Sequence, residues 1–391
     1  MHDVRFHIVL LLCAVWFSNP MVAQEVSSDE ILLQVRPRSE WRDGYQRLRQ
    51  PGEAGNLFTQ QRTRFTWQHS EAKWTVKLGF QDVRSFGDPA GRDANYGDFA
   101  AAEAWGAWKP TEQSTFTFGR QIIAFDNERI VGAVNWSQHG RFLDGIRWDQ
   151  AWRAGKSTMA LTWDAPANLT RLMFHHTYQD DQRRISLLHF EQSDSKNIAT
   201  SSVTSGLTWQ EQVSEASSLL VEGYAQKWGV ASSLSWMGVV EYVHQSESFG
   251  TLKVGADWLE GASAGMAFYP FLGTNHRHYG WMDHFYVGMP ADGMFNAHVQ
   301  LKKKLMIREL NSAFDVRLHR FHSSDLNHLF SHELDAVWVA TPTSNVKISL
   351  GWSIMTPTDY FYAFQSRLSS ADRLQHWGWV ELDFHPKILM K

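Results

Sequence analysis

Cysteine is almost absent from this sequence, since Cys13 is the only one among 391 residues. It lies in an apolar stretch near the N-terminus, and no cysteine follows it. Disulfides are therefore excluded from the rest of the chain. A chain of this length can bury a core without crosslinks, so their absence does not restrict the fold.

Neither a surplus of charge of one sign nor a long apolar run is present. The chain has 37 Lys and Arg against 41 Asp and Glu, with a net charge of −4. This balance does not indicate a nucleic-acid partner. After residue 17, no segment is apolar over the roughly 20 residues that a transmembrane helix needs. No cofactor is expected from any motif of the chain.

The N-terminus has the layout of a secretory signal peptide. Arg5 precedes the apolar stretch "FHIVLLLCAVWF" (6–17), and "SNP" and "MVAQ" follow, with a small residue at Ala23. This apolar stretch is too short to span a bilayer as a helix. We therefore expect a signal peptide over 1–23 and a single exported domain over 24–391.

Aromatic residues are abundant, with 19 Trp, 24 Phe and 10 Tyr. Such an excess is typical either of sugar-binding proteins or of the aromatic girdles of a membrane barrel. The composition alone does not separate these two classes.

Periodicity favours the barrel. "QRTRFTWQ" (61–68) and "KWTVKLGFQ" (73–81) alternate polar and apolar residues, and similar runs occur at 296–302, 314–319 and 346–353. Because successive strand side chains point to opposite faces, each run predicts a strand with one apolar and one polar face. About 18 such segments are found, with the length of roughly 9 to 11 residues that a tilted strand needs to cross a membrane.

The connections between these segments alternate between long and short. The long gaps include 42–58, 83–98, 122–138, 260–293 and 354–374, and the short gaps include 70–72, 109–113, 153–156, 179–182, 245–248 and 341–345. Outer-membrane barrels have long outer loops, short periplasmic turns and an even number of strands, whereas a soluble sugar-binding protein has no reason to alternate. The sequence therefore predicts an all-β fold, a closed transmembrane antiparallel barrel of about 18 strands.

This fold carries expectations about location and partners. The protein is expected in the outer membrane of a Gram-negative bacterium, as a monomer in contact with outer-membrane lipid and lipopolysaccharide. The barrel assembly machinery is an expected partner, and Phe384 is the candidate for the aromatic residue of its recognition signal, although "HPKILMK" follows.

The charged residues on the polar faces of the strands are mainly basic. Ten bases are assigned there: Arg62, Arg64, Lys73, Lys77, Arg141, Arg147, Lys253, Lys302, Arg317 and Lys347. The acids are Asp149, Asp257, Asp315, Glu381 and Asp383. Rings of basic residues select anions in a pore, which predicts an electropositive path for an anionic carbohydrate. The alternative is a general or small-solute porin whose lumen charges neutralise one another. Arg120 and Asp144 fall on the opposite face, toward lipid, and are not assigned to the pore.

The segment 273–288, "GTNHRHYGWMDHFYVG", is expected to lie against the inner wall near the outer mouth. Exposed loops usually avoid so many aromatics. The residues expected at the mouth or in the lumen are Asn275, His276, Arg277, His278, Tyr279, Trp281 and Asp283. A zinc or copper site at His276, His278, Asp283 and His284 is the alternative, and it is weighed lower because no cysteine or closely spaced His-x₃-His accompanies them. Stacking on sugar rings is preferred, and no metal is assigned.

An enzyme is a second alternative. Some outer-membrane barrels hydrolyse lipids with Ser and His side chains near the outer leaflet, and "NWSQHGR" (135–141) offers Ser137 and His139. These side chains would have to lie within hydrogen-bond reach and face lipid. No G-x-S-x-G motif is present, so a non-enzymatic channel is the preferred interpretation.

Two blocks of sequence resemble the alginate export family of outer-membrane barrels. They are "GRQ…DNERIVGAVNWSQHGRFLDGIRW" (119–148) and "YPFLGTNHRHYGWMDHFYVG" (269–288). The resemblance implies an 18-stranded monomeric barrel with an electropositive lumen that passes an anionic, alginate-like polysaccharide. No extended periplasmic plug loop of the kind found in the alginate exporter is present among the short turns.

Overall fold

The computed structural model describes residues 27–87, 99–229, 233–262, 266–285, 289–369 and 373–390. The expected signal peptide, residues 1–23, lies outside these described residues. No helix within them is long and apolar enough to cross a membrane.

Strands make up most of the described chain. Their bounds are β1 Ser28–Asp43, β2 Asn56–Ser70, β3 Trp74–Ser85, β4 Ala100–Trp108, β5 Ser114–Gln121, β6 Leu143–Trp152, β7 Gly155–Asp164, β8 Leu169–Gln179, β9 Arg183–Asp194, β10 Ser202–Ser214, β11 Ser217–Trp228, β12 Ser235–Ser246, β13 Gly250–Leu259, β14 Met294–Ile307, β15 Leu310–His322, β16 Leu329–Thr343, β17 Val346–Pro357, β18 Gln375–Phe384 and β19 Lys387–Met390. One α-helix, α1, covers Asp359–Phe364, and short 3-10 helices cover Ile198–Thr200 and Asn275–Arg277.

The strands close into one antiparallel ring. Each pairs with its neighbour in sequence, and β1 closes the ring against β18, with Val35 opposite Phe384 and Asp43 opposite His376. After a break at 385–386, β19 continues along β1, with Leu32 opposite Lys387. The predicted barrel of about 18 strands is confirmed, with β19 as a short continuation of β18.

The barrel is inverted relative to a soluble protein, because its outer face is apolar and its interior is polar. Leu187, Val240 and Leu318 are about half exposed on the outside, whereas Asp257 and Asp335 are fully buried inside. This distribution follows from the period of two in the sequence. An apolar outer band around a closed ring is the surface that a bilayer requires.

The predicted alternation of long and short connections holds at five of the nine outer loops, and the other four have only four to seven residues. We number the outer loops L1 to L9; they cover 44–55, 86–99, 122–142, 165–168, 195–201, 229–234, 260–293, 323–328 and 358–374. The periplasmic turns cover 71–73, 109–113, 153–154, 180–182, 215–216, 247–249, 308–309 and 344–345. L7 has the predicted bounds, whereas L3 runs to 142 and is longer than the predicted gap of 122–138.

An apolar core lies inside the barrel, toward the outer mouth. Its loop residues come from L1, L3, L7 and L9: Tyr45, Leu48, Ile123, Phe125, Ile130, Val131, Phe268, Leu272, Tyr279, Trp281, Met282, Phe285, Phe361 and Tyr362. These pack on wall residues near the outer ends of the strands, among them Met173, Phe190, Met237, Phe321 and Trp377. The outer half of the lumen is therefore narrowed by loops that fold inward.

Candidate functional site

L3 and L7 form one unit inside the lumen. Val131 and Leu272 make a parallel bridge, and the Gly132 N–H donates to the Leu272 carbonyl at 2.7 Å. The Thr274 N–H donates to the Glu128 carbonyl at 2.8 Å. Backbone hydrogen bonds of this kind satisfy polar groups that would otherwise be buried without partners. L3 and L7 are therefore joined by backbone hydrogen bonds into one structural unit.

Arg129 fixes L3 to one wall of the barrel. Its guanidinium lies 2.7 Å from each of Glu222, Glu241 and Asp257, on β11, β12 and β13. The side chain is 1% exposed. Burial alone would lower the pKa of Arg129, but the three carboxylates hold it well above the ordinary value. Arg129 is therefore a permanent buried cation with three counter-ions.

The other end of L3 is fixed to β1 and β2. Arg36 Nη2 donates to the Ser137 carbonyl at 2.7 Å, and Arg38 Nη1 donates to the Trp136 carbonyl at 2.8 Å. Arg62 Nη1 donates to Asn135 Oδ1 at 3.2 Å. In a ring of 18 strands, β1 and β2 lie across the lumen from β11 to β13. L3 therefore crosses the channel and is held at both walls.

The three histidines of L7 point in different directions. His276 Nδ1 lies 2.7 Å from Asp283, and its ring stacks on Trp136 with centroids 3.6 Å apart. His278 Nε2 lies 2.9 Å from the Asn127 carbonyl, and His284 Nε2 lies 2.8 Å from the Gly44 carbonyl. Within the described residues, no group of three or more His, Cys, Asp or Glu side chains is arranged to hold a metal ion.

Two of these histidines are held neutral by burial. Burial lowers the pKa of His284 to about 4, against an ordinary value of 6.5. Burial, together with the charge of Arg129, lowers the pKa of His278 well below that value. Neutral imidazoles can form hydrogen bonds to backbone carbonyls without a buried charge, so these side chains act as structural supports for L7.

The remaining residues of the predicted mouth segment are buried, with one exception. Tyr279 packs under the Arg129 guanidinium, and Trp281 packs under Arg317, whose guanidinium carbon is 4.7 Å from the ring centre. Asn275 and Asp283 are also buried. The Arg277 side chain, in contrast, is 54% exposed and lies 3.8 Å from Glu128. Arg277 is therefore the residue of this segment that faces open lumen. Residues 286–288 lie outside the described residues.

Most of the predicted lumen bases have acidic partners. Six of them form ion pairs of 2.7 to 3.9 Å: Lys77 with Glu103, Arg147 with Asp149, Lys253 with Glu241, Lys302 and Arg317 with Asp315, and Lys347 with Glu381 and Asp383. Arg64 donates to Gln81 at 2.7 Å, and Arg141 donates to the carbonyl of Leu272 in L7. Lys73 is not on a lumen face, because it lies in the exposed turn 71–73.

The predicted ratio of ten bases to five acids inside the barrel does not hold when all strands are counted. Further acids line the interior, on strands whose phase was not assigned from the sequence: Glu40, Glu103, Glu222, Glu241, Glu333 and Asp335. Buried bases were also missed, namely Arg36, Arg38, Arg129 and Arg171. The alternation in "QVRPRSE" (34–40) would have placed Arg36, Arg38 and Glu40 on one face. No periodic pattern marks Arg129, because it lies in a loop.

A polar chamber remains open below L3 and L7, toward the periplasmic ends of β9 to β15. Its volume is about 340 Å³. Its charged lining residues are Asp126, Arg184, Glu241, Lys253, Arg277, Lys302 and Arg317. Asp126 belongs to L3 and lies 3.0 Å from His175 and 3.1 Å from Arg184. Both signs of charge are therefore present around this space.

The residues of the hydrolase alternative lie inside the barrel. Ser137 and His139 belong to the part of L3 that is bound by Arg36 and Arg62, and the backbone N–H of His139 donates to Ser137 Oγ at 3.3 Å. Lipid cannot reach this position from outside the wall. Ser137 and His139 therefore do not face lipid, as the hydrolase alternative requires.

The comparisons with known proteins agree on the fold. No protein-family model matches the chain, and the search of curated proteins gives no match. Among solved structures, Acinetobacter baumannii OccAB4 has a TM-score of 0.65 at 8% identity over 93% of this chain and 99% of its own. OccAB2 of the same organism has 0.63 at 12% identity, over 93% and 98%. Pseudomonas aeruginosa OccK5 (OpdH) has 0.62 at 10% identity, over 92% and 98%.

These matches correct the expected family. The matching structures are Occ/OprD porins and not alginate exporters, so the predicted membership of the alginate export family is wrong. The two blocks that suggested it, 119–148 and 269–288, contain L3 and most of L7, where aromatic and charged residues pack inside the lumen. The fold itself, a closed barrel of the outer membrane of Gram-negative bacteria, stands.

Proposed function

We propose that this protein is an outer-membrane porin for small water-soluble solutes. The observation that carries the proposal is the crossing of the lumen by L3, held at one wall by Arg129 and at the other by Arg36, Arg38 and Arg62. A loop fixed in this way divides the bore. The space left beside it admits compact solutes more readily than a polymer chain.

The pairing of the lumen charges supports the same function. Basic side chains such as Lys77, Arg147 and Lys253 lie within 3 Å of a carboxylate. A charge that is neutralised by a neighbour contributes little to the field along the pore. We therefore expect only a modest preference between anions and cations, in contrast to the electropositive polysaccharide path expected from the sequence. The fold likeness to Occ/OprD porins is compatible with passage of small solutes.

Planar-bilayer recording of the refolded protein, combined with liposome swelling, tests the proposal. We expect small conductance steps and swelling rates that fall steeply from amino acids and monosaccharides to trisaccharides. The matched control is the same barrel with residues 274–286 deleted, in which larger sugars should also enter. Tight block of the intact protein by long uronate oligomers, with strong anion preference, would instead support a polysaccharide channel.

A further inference from the structure

Three basic side chains interrupt the apolar outer face of the barrel near the outer ends of β15 and β16. On β15, the outward residues Phe314, Val316 and Leu318 are followed by Arg320 and His322, at the end that leads into L8. His332 lies directly opposite Arg320 on β16. Neighbours across two strands on one face are about 5 Å apart at Cβ, so these side chains form one basic cluster.

This cluster has no acidic partner among the described residues. Arg320 Nε is 2.9 Å from His322 Nε2, and His322 Nδ1 is buried without a hydrogen-bond partner. Another outward cation on the wall has a partner, because Arg120 forms a two-fold hydrogen bond with Asp144 at 2.8 and 2.6 Å. A cation on the lipid face is unfavourable unless an anion or the headgroup region accommodates it. The described part of the protein therefore supplies no counter-ion for this cluster, and an external anion can take that place.

An apolar groove runs along the wall directly below the cluster. Its volume is about 480 Å³. It crosses β13 to β17, and its apolar lining side chains are Val254, Ala297, Val299, Leu318, Leu334 and Ile354. The small side chain of Ala297, which pairs with Arg320 across β14 and β15, leaves room between the larger neighbours. Arg320, His332 and Thr356 close the groove at its outer end.

We propose that this groove and the basic cluster bind a phosphorylated lipid of the outer leaflet. An acyl chain would occupy the groove, and the lipid phosphate would meet Arg320 and His332. Guanidinium groups pair with phosphate through two parallel hydrogen bonds, and the bond from Arg320 to His322 uses only Nε, so it leaves the two terminal nitrogens of Arg320 for the phosphate. Because the cluster adjoins an outer loop, the anion must come from the outer leaflet. A dissolved anion would not need the apolar groove.

The test uses the refolded full-length protein in detergent and measures binding of a bis-phosphorylated, hexa-acylated lipid A by native mass spectrometry. The test variant is Arg320→Leu with His332→Leu, which keeps the wall apolar and should still assemble; heat-modifiable gel mobility verifies the barrel. The matched control is Lys227→Leu, which removes an exposed cation from the outer end of β11, where Glu191 lies across Val203 on the same face. A second variant, Arg320→Lys, retains the charge.

We expect the intact protein to hold one lipid A in preference to its dephosphorylated form. The double Leu variant should bind at least about tenfold more weakly, since it removes both the guanidinium charge of Arg320 and the ring nitrogens of His332 that can bond a phosphate. Lys227→Leu should bind as the intact protein does, and Arg320→Lys should retain most of the affinity. Equal binding by the double variant, or no discrimination against the dephosphorylated lipid, overturns the proposal.

Discussion

Replacing Arg129 with methionine should release L3 from the wall and widen the channel. In the intact protein the guanidinium is 2.7 Å from three carboxylates and almost fully buried. Methionine fills similar space but leaves Glu222, Glu241 and Asp257 without their shared cation. Breaking a buried ion pair by removing one partner costs roughly 3–5 kcal/mol. Water can relieve this cost only if L3 moves away from β11 to β13.

That energy is large compared with the thermal energy. At 1.4 kcal/mol for each tenfold change, it shifts the equilibrium between attached and detached L3 by roughly 10²-fold to several thousandfold. Lys253 remains 2.7 Å from Glu241 and offsets part of the loss. We expect larger conductance steps, more current noise and faster swelling with disaccharides in the Arg129→Met protein, while gel mobility still shows an assembled barrel.

Two further variants make the test specific. Arg120→Met removes a cation from an ion pair on the outer face and should leave conductance unchanged. Arg129→Met combined with Glu222→Gln, Glu241→Gln and Asp257→Asn removes the unpaired charge as well, and should return conductance toward the original value. If Arg129→Met alone leaves conductance and swelling unchanged, L3 is not held by this cluster and the argument for a loop that restricts the channel fails.

Three other outcomes follow from the lumen. Lowering the pH from 6.5 toward 4 should loosen L7, because burial lowers the pKa of His284 to about 4 and the detached loop binds more protons in that window. Hydrogen exchange of residues 274–285 measures this loosening. The same pH profile in His284→Asn would show that His284 is not its cause. Deleting 274–286 should raise conductance with the barrel still assembled, and unchanged conductance would mean that this segment does not restrict flow. Lys302→Glu and Arg277→Glu reverse exposed charges of the chamber and should shift the permeability ratio toward cations. Lys73→Glu, in the turn 71–73, should have a smaller effect. Reversal potentials in a salt gradient measure the difference.

The strands and most loops could be predicted from the sequence because they follow from local alternation. The bounds of L7, 260–293, are the positions where the alternation of polar and apolar residues stops and where it resumes. The predicted gap for L3 ended four residues too early, since β6 begins only at Leu143. Lys73 continued the phase of β3 in sequence but lies one residue before the strand begins.

The electrostatics of the lumen could not be predicted in the same way. Arg129 meets acids on three strands that are 93 to 128 residues further along the chain, and only closure of the ring brings them together. Glu333 and Asp335 lie on a strand with "VWVA" after them, which hides its alternation. Counting charges on the clearest strands therefore missed more of the acids than of the bases. The inferred family depended on motifs in L3 and L7, where the packing of any filled lumen favours aromatic residues.

The attachment of L3 at both walls also has a consequence for the order of assembly. L3 follows β5, whereas the carboxylates that bind Arg129 lie on β11 to β13, so this cluster forms only when those strands are paired in the sheet. Until those strands have curved round to face β1, its cation and their carboxylates are hydrated separately and the interior stays wet. Drying of the lumen can therefore be completed only when the sheet is almost a full circle. Because L3 is then bound to both walls, a change in the distance between β1 and β12 has to break these contacts, so the loop that narrows the channel also resists flattening of the ring.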